Sequence, residues 1–163
     1  MERPFSIRAA TAGDMASIAT LFRTYARGIG VDLSYQGFEQ ELATLPGAYA
    51  PPSGALFIAV SATGSPLGCV AVRPFGEPGM CEMKRLHTLL DARGAGIGFA
   101  LAAAAIEAAT QAGFTTMVLD TLPSMTAALT VYRRLGFEVT SAYYDSPLPD
   151  TIFMRKALRR SVT

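Results

Sequence analysis

The sequence predicts a mixed α/β domain, and three observations carry the prediction. Three strand-like runs follow one another with only short turn signals between them, the apolar period changes from two to about 3.6 near Gly96, and strands and helices alternate from there on. At 163 residues the chain is long enough to bury a sizeable core, so residues 1–163 read as one domain. Half the residues are apolar and only 17% are charged, which excludes a disordered chain. A formal net charge of +1 gives no electrostatic ground for a nucleic-acid or membrane-surface partner.

Taken in order, "FSIRAA" alternates apolar and polar residues as a short strand does. Met15, Ile18, Ala19, Phe22 and Ala26 then recur at helical spacing. A second helix is expected from Ser34 to Leu45, with Phe38, Leu42 and Leu45 on one face and Pro46 ending it. The runs "ALFIAVSA", "PLGCVAVRPF" and "MCEMKRLHTLL" are separated by "TGS" and "GEPG", which predicts an antiparallel meander. A helix follows from Gly96 to about Ala112, ended by Gly113. Then come a strand at "TTMVLDTL", a helix at "SMTAALTVYRRL" ended by Gly136, and short strands at "FEVT" and "DTIFMRKAL". The strands on either side of the Gly-rich helix should be parallel neighbours in a βαβ unit.

No stretch suits a membrane. The longest uncharged run, Leu42 to Val72, is broken by four prolines, and its apolar part is far shorter than the ~20 residues a span needs. The N-terminal residues carry Glu2, Arg3, Arg8 and Asp14 without an apolar stretch, so no signal peptide is expected there. Cys69 and Cys81 have no metal-ligand spacing and read as reduced, buried residues. The expectation is a soluble cytoplasmic protein without a metal.

The segment "DARGAGIGFALAAAAIEAA" places three glycines directly before an alanine-rich helix, although each glycine inside a helix costs about 1 kcal/mol. The first N–H groups of a helix have no internal partner and the helix dipole is positive there. Glycines let anionic oxygens approach that backbone, and Arg93 adds a charged donor. A diphosphate is the expected ligand. A Walker loop fails because Phe99 and Ala100 stand where lysine and a hydroxyl residue belong, and a dinucleotide fingerprint fails at Phe99 or Leu101. The alternative is a purely structural tight turn.

The run "CEMKRLHTLLDARGAGIGFALAAAAIEAA" followed by "LDTLPSMTAALTVYRRLGFE" resembles the GCN5-related N-acetyltransferase (GNAT) superfamily. Its strand, R/Q-x-x-G-x-G/A turn and helix, and its later A-x-x-x-Y-x-x-x-G-F helix end, match here at Arg93, Gly96, Gly98, Ala128, Tyr132, Gly136 and Phe137. The resemblance implies a mostly antiparallel central sheet, a parallel pair around an acetyl-CoA site and about four flanking helices. It also implies acetyl transfer from acetyl-CoA to a primary amine by direct attack. The alternative within the same fold is a non-catalytic acyl-CoA sensor. A homodimer is the family's habit.

Carried over residue by residue, the resemblance assigns the pyrophosphate to Arg93, Gly94, Gly96, Ile97 and Gly98, and the pantetheine arm to the strand around Leu86 and Thr88. A β-bulge is expected in that strand, and a backbone N–H near Leu86 or His87 would face the oxyanion. Glu82, eleven residues before Arg93, matches the position of a catalytic base, and Asp120 is a second acid at the end of the next strand. Tyr132 matches a tyrosine that protonates or orients the departing sulfur. His87, the only histidine, lies on a strand where side chains vary in the family. Met125 and Ala95 depart from the asparagine and lysine often found at their positions. Acceptor contacts are expected from the helices after residue 30 and the loop before the last strand, at Tyr35, Phe38, Glu39 and Tyr143, with Asp32, Tyr144 and Asp145 nearby. That aromatic and acidic set would suit a cationic amine.

Overall fold

A computed structural model describes residues 4–159. Seven strands form one sheet in the order β1-β2-β3-β4-β5-β7-β6. The strands are β1 (Phe5–Ala9), β2 (Ala55–Ser61), β3 (Pro66–Pro74), β4 (Met80–Thr88), β5 (Thr116–Thr121), β6 (Glu138–Thr140) and β7 (Ile152–Ala157). Strands β1 to β4 are antiparallel neighbours, β4 and β5 are parallel, and β7 inserts antiparallel between β5 and β6. The expected meander and the single parallel pair are both present.

Helices cover both faces. On one face lie α1 (Met15–Ile29) and the short α2 (Phe38–Ala43), where Ile18, Leu21, Phe22 and Phe38 pack on Leu56, Ile58 and Cys69. On the other lie α3 (Ile97–Gln111) and α4 (Thr126–Arg134). The buried face of α3 is Ile97, Leu101, Ala102, Ala105 and Ala109, and its small residues let the helix lie close on the sheet.

The expected helix from Ser34 to Leu45 is not continuous. A 3-10 turn at Ser34–Gln36 ends at Gly37, which adopts φ 70°, and α2 starts afresh at Phe38 and stops at Ala43. The expected inner residues Phe38, Leu42 and Leu45 nevertheless pack inward. Phe38 and Glu41 share the inner face, three residues apart, while Glu39 points out.

The Y-x-x-x-G-F pattern is a helix stop with a physical cause. Gly136 takes φ 94°, its N–H donates to the Arg133 carbonyl at 3.1 Å, and the Phe137 N–H donates to the Tyr132 carbonyl at 3.0 Å. These are the paired bonds of a Schellman cap, and the Tyr132 and Phe137 rings meet edge to face at 5.8 Å, as the motif's apolar contact requires.

The expected bulge is in β4. Cys69 pairs with His87 and Ala71 with Lys84, so Arg85 and Leu86 together face Val70. Arg85 absorbs the extra residue at φ 61°, an uncommon conformation for a side-chain-bearing residue. The ladder between β4 and β5 ends at Glu82 opposite Val118, so the two parallel strands part just before the bulge. No helix among the described residues is long and apolar enough to cross a membrane.

Candidate functional site

Two cavities open where β4 and β5 part. The first, of about 450 Å³, runs along the end of β4 and the start of α3. Leu86, Thr88, Arg93, Gly94, Gly96, Ile97 and Gly98, the residues expected to hold the donor, all line it. Gly94 and Gly96 take φ 93° and 85°, so any side chain there is strained, and a Cβ on either would point into open space. Gly96 is the N-cap of α3 and brings no side-chain acceptor, which leaves the N–H groups of Ile97, Gly98 and Phe99 to the cavity. Arg93 is steadied by its Nε, which donates to the Thr88 carbonyl at 3.3 Å.

The opposite wall comes from α1 and α4. Tyr25, Gly28 and Ile29 line it from α1, and Ser124, Met125 and Arg134 from the α4 region. Met125 is held by the Thr121 hydroxyl, which donates to its sulfur at 3.5 Å. Arg134 stacks over Phe99 at 4.7 Å and supplies a second cation beside the helix N-terminus. Sequence reasoning missed Arg134, because an arginine near a helix C-terminus has a sufficient structural reason to be there.

His87 also lines this cavity, bonded to the Thr24 hydroxyl at 3.0 Å and edge-on to Tyr25. Burial, with Arg93 nearby, lowers its pKa to about 4, so the ring is neutral at physiological pH. Tyr132 is buried, with 5% exposure, in the core between α4 and the sheet. Its hydroxyl makes no hydrogen bond among the described residues, and it is not sealed from solvent. Burial raises its pKa, and Tyr25 and Asp120 add to the rise, so both lie close by.

The second cavity, of about 600 Å³, lies on the other side of the gap. Glu82 stands at its floor with 1% exposure. Both its oxygens are engaged: Oε1 accepts from Arg73 Nε at 2.8 Å and lies 2.7 Å from Arg73 Nη2, while Oε2 accepts from the Tyr143 hydroxyl at 2.5 Å. Lys84 Nζ is 3.8 Å from the same Oε1 and donates to Gln36 Oε1 at 3.1 Å. Burial lowers the Lys84 pKa. Asp120 is half-buried and accepts a very short hydrogen bond from the Tyr144 hydroxyl. Among the described residues it forms no ion pair and accepts no other side-chain bond, so its second oxygen is open.

The expected acceptor residues divide. Tyr35 lines the cavity, and Tyr143, bonded to Glu82, is in edge contact with Phe75 and Phe153. Tyr144 and Asp145 line it from the same loop. Phe38 lies in the core, where its ring carries the Arg85 guanidinium at 5.2 Å. Glu39 is exposed and pairs with Arg23 at 3.4 Å, outside the cavity, and Asp32 accepts from the Ser34 N–H at 2.9 Å in a surface turn. The acid that faces inward is Glu41, whose two oxygens each accept from Arg85 at 2.9 Å. Among the described residues no group of His, Cys, Asp or Glu is arranged to hold a metal ion.

Comparisons with known proteins bear on the family and the fold. The family model described as "Acetyltransferase (GNAT) family" matches residues 16–137. An uncharacterized N-acetyltransferase of Schizosaccharomyces pombe is 39% identical over 142 residues, covering 87% of each chain. The solved structure of a GNAT-family acetyltransferase from Staphylococcus aureus superposes with a TM-score of 0.79 at 16% identity, over 95% of this chain and 99% of that one. A phosphinothricin acetyltransferase from Sinorhizobium meliloti, solved in complex with AcCoA, superposes with a TM-score of 0.67 at 21% identity, over 95% and 89%.

Proposed function

The chain belongs to the GNAT acetyltransferase family and is an acyltransferase, and from that premise we propose that it transfers the acetyl group of acetyl-CoA to a primary amine. The observation that carries the reading is the first cavity, where Arg93, Arg134 and the free N–H groups of α3 converge beside open glycines. Such a helix start suits a pyrophosphate. The backbone of β4 from Leu86 to Thr88, no longer paired to β5, suits the amide-bearing pantetheine arm, with an N–H near the bulge facing the carbonyl oxygen as charge develops on it.

The amine enters from the second cavity as an ammonium and must lose a proton before it attacks. Of the two carboxylates, Asp120 is the better acceptor, because one of its oxygens is open while Glu82 has both in use. Glu82 instead orients Arg73, Lys84 and Tyr143. The nitrogen then bonds to the carbonyl carbon, the tetrahedral intermediate collapses with loss of the C–S bond, and the second ammonium proton leaves with the sulfur, so CoA departs as the thiol. Tyr132 keeps its proton because burial raises its pKa, and it suits a hydrogen bond to the departing sulfur.

The test is amine-dependent release of CoA thiol from acetyl-CoA. Asp120→Asn should lower kcat by about 10²–10⁴-fold with acetyl-CoA affinity retained, the range for loss of a general base. Unchanged kcat would remove Asp120 from the mechanism. Acetyl-CoA binding without turnover of any amine would favour the sensor reading.

A further inference from the structure

The charged groups around the second cavity are unevenly partnered. On its β3 and β4 side, one carboxylate, Glu82, serves two cations: Arg73 and Lys84 both reach its Oε1. The other interior acid on that side, Glu41, is already matched by Arg85. Glu82 and Lys84 are nearly sealed, with side-chain exposures of 1% and 6%, whereas Arg73 is 33% exposed and lines the cavity with its guanidinium 5.0 Å from the Phe75 ring. Arg73 and Lys84 thus share one carboxylate, and of the two Arg73 is the one open to the cavity.

On the β5 side an acid stands with one oxygen open. Asp120 sits on β5, bonded to Tyr144 and in no ion pair among the described residues. Its partner Tyr144 lines the cavity, and β5 is the neighbour of the strand that borders both cavities, so Asp120 lies against the cavity's β5 wall. Asp145 is exposed at the rim and forms no ion pair among the described residues.

We infer that the acceptor is a small zwitterion, an amino acid or short amino-acid derivative with a free carboxylate. Its ammonium lies at Asp120, beside the thioester, and its carboxylate lies at Arg73 and Lys84. An arginine that is stacked on an aromatic ring and still open to the cavity is well suited to a carboxylate. A polyamine would set a second cation against Arg73 and Lys84. The aromatic walls at Tyr35, Phe75 and Tyr144 suit the acceptor's apolar part. The inference rests on the acetyl-transfer reading above and narrows its acceptor.

Two experiments on the full chain separate the two claims. Calorimetric titration with acetyl-CoA alone tests the donor reading and requires no acceptor. Thiol release from acetyl-CoA is then measured with the L-amino acids, dipeptides, β-alanine and 4-aminobutyrate, with the carboxamides of the same compounds, and with spermidine. The expected result is turnover of at least one carboxylate-bearing amine with kcat/KM tenfold or more above its carboxamide. Arg73→Gln should then raise KM for the free acid and shrink that ratio towards one. The wild-type comparison decides the matter even if the variant does not fold. Acetyl-CoA binding together with equal use of acids and carboxamides, with a preference for spermidine, or with no turnover of any carboxylate-bearing amine, would overturn the inference while leaving the donor reading intact. No acetyl-CoA binding would overturn both.

Discussion

Replacing Glu41 by leucine should destabilise this fold measurably. The Arg85 guanidinium is 2% exposed, makes two hydrogen bonds of 2.9 Å to Glu41, and lies over Phe38 and Tyr25 at 5.2 and 5.8 Å. Leucine keeps most of the volume but leaves a buried cation without its anion. Breaking a buried pair from one side costs about 3–5 kcal/mol. The two ring contacts survive and retain part of the cation's stabilisation, about 0.5–2 kcal/mol, so the lower end, about 3 kcal/mol, is expected. For a domain of this size that lowers Tm by about 6–12 °C. Arg85→Met should cost less, because Glu41 is 15% exposed and can turn to water. The double variant should regain most of the loss, since replacing both partners by apolar groups is often neutral. Thermal unfolding of the wild type, both single variants and the double variant gives the cycle. A fall of less than about 2 °C for Glu41→Leu, or a double variant that simply adds the two losses, would refute the reasoning. The pair matters to function because Arg85 is the bulge residue, and the bulge follows the point where β4 leaves β5.

Tyr132→Phe should lower kcat with acetyl-CoA affinity nearly unchanged, and because Phe keeps the ring contact with Phe137, Tm should move little; an unchanged kcat removes the hydroxyl from the reaction. His87 makes stability depend on acid. Its pKa is about 4 in the folded chain against about 6.5 unfolded, so the unfolded state binds the proton first as pH falls through that window. Stability is then full above pH 6.5 and declines towards pH 4, by about 2 kcal/mol after allowance for the ring's partial exposure. Urea unfolding from pH 7 to 4.5 should show that decline in the wild type and a shallower one in His87→Asn. Equal slopes would contradict the assignment.

The grouping of the expected donor residues around one cavity was legible because those residues are local. Arg93 to Gly98 form one turn at one helix start, and a turn of that kind is written in consecutive residues. Leu86 and Thr88 follow from being on the strand that leads into it. The acceptor side was legible only in part. Glu82 was visible as an acid in an apolar run, but its partners Arg73 and Tyr143 come from the neighbouring strand and from a loop 61 residues later. Nothing local announces such pairings. Glu39 was expected in the acceptor site, but it is Glu41, three residues after Phe38 and so on the same face of α2, that turns inward. The insertion of β7 between β5 and β6 is likewise a long-range choice. The Y-x-x-x-G-F pattern was read as a family signature, and its immediate physical content is a helix cap.

The central claim is that the glycine turn at the start of α3 holds the diphosphate of acetyl-CoA, and calorimetric titration of the wild type and of Gly96→Val with acetyl-CoA tests it most directly. Gly96 takes φ 85°, which valine strains, and valine's branches would stand in the open space before the helix N–H groups. Saturable binding by the wild type, lost in a Gly96→Val protein that still unfolds cooperatively, is the predicted result. Equal affinity in the two proteins would contradict the account.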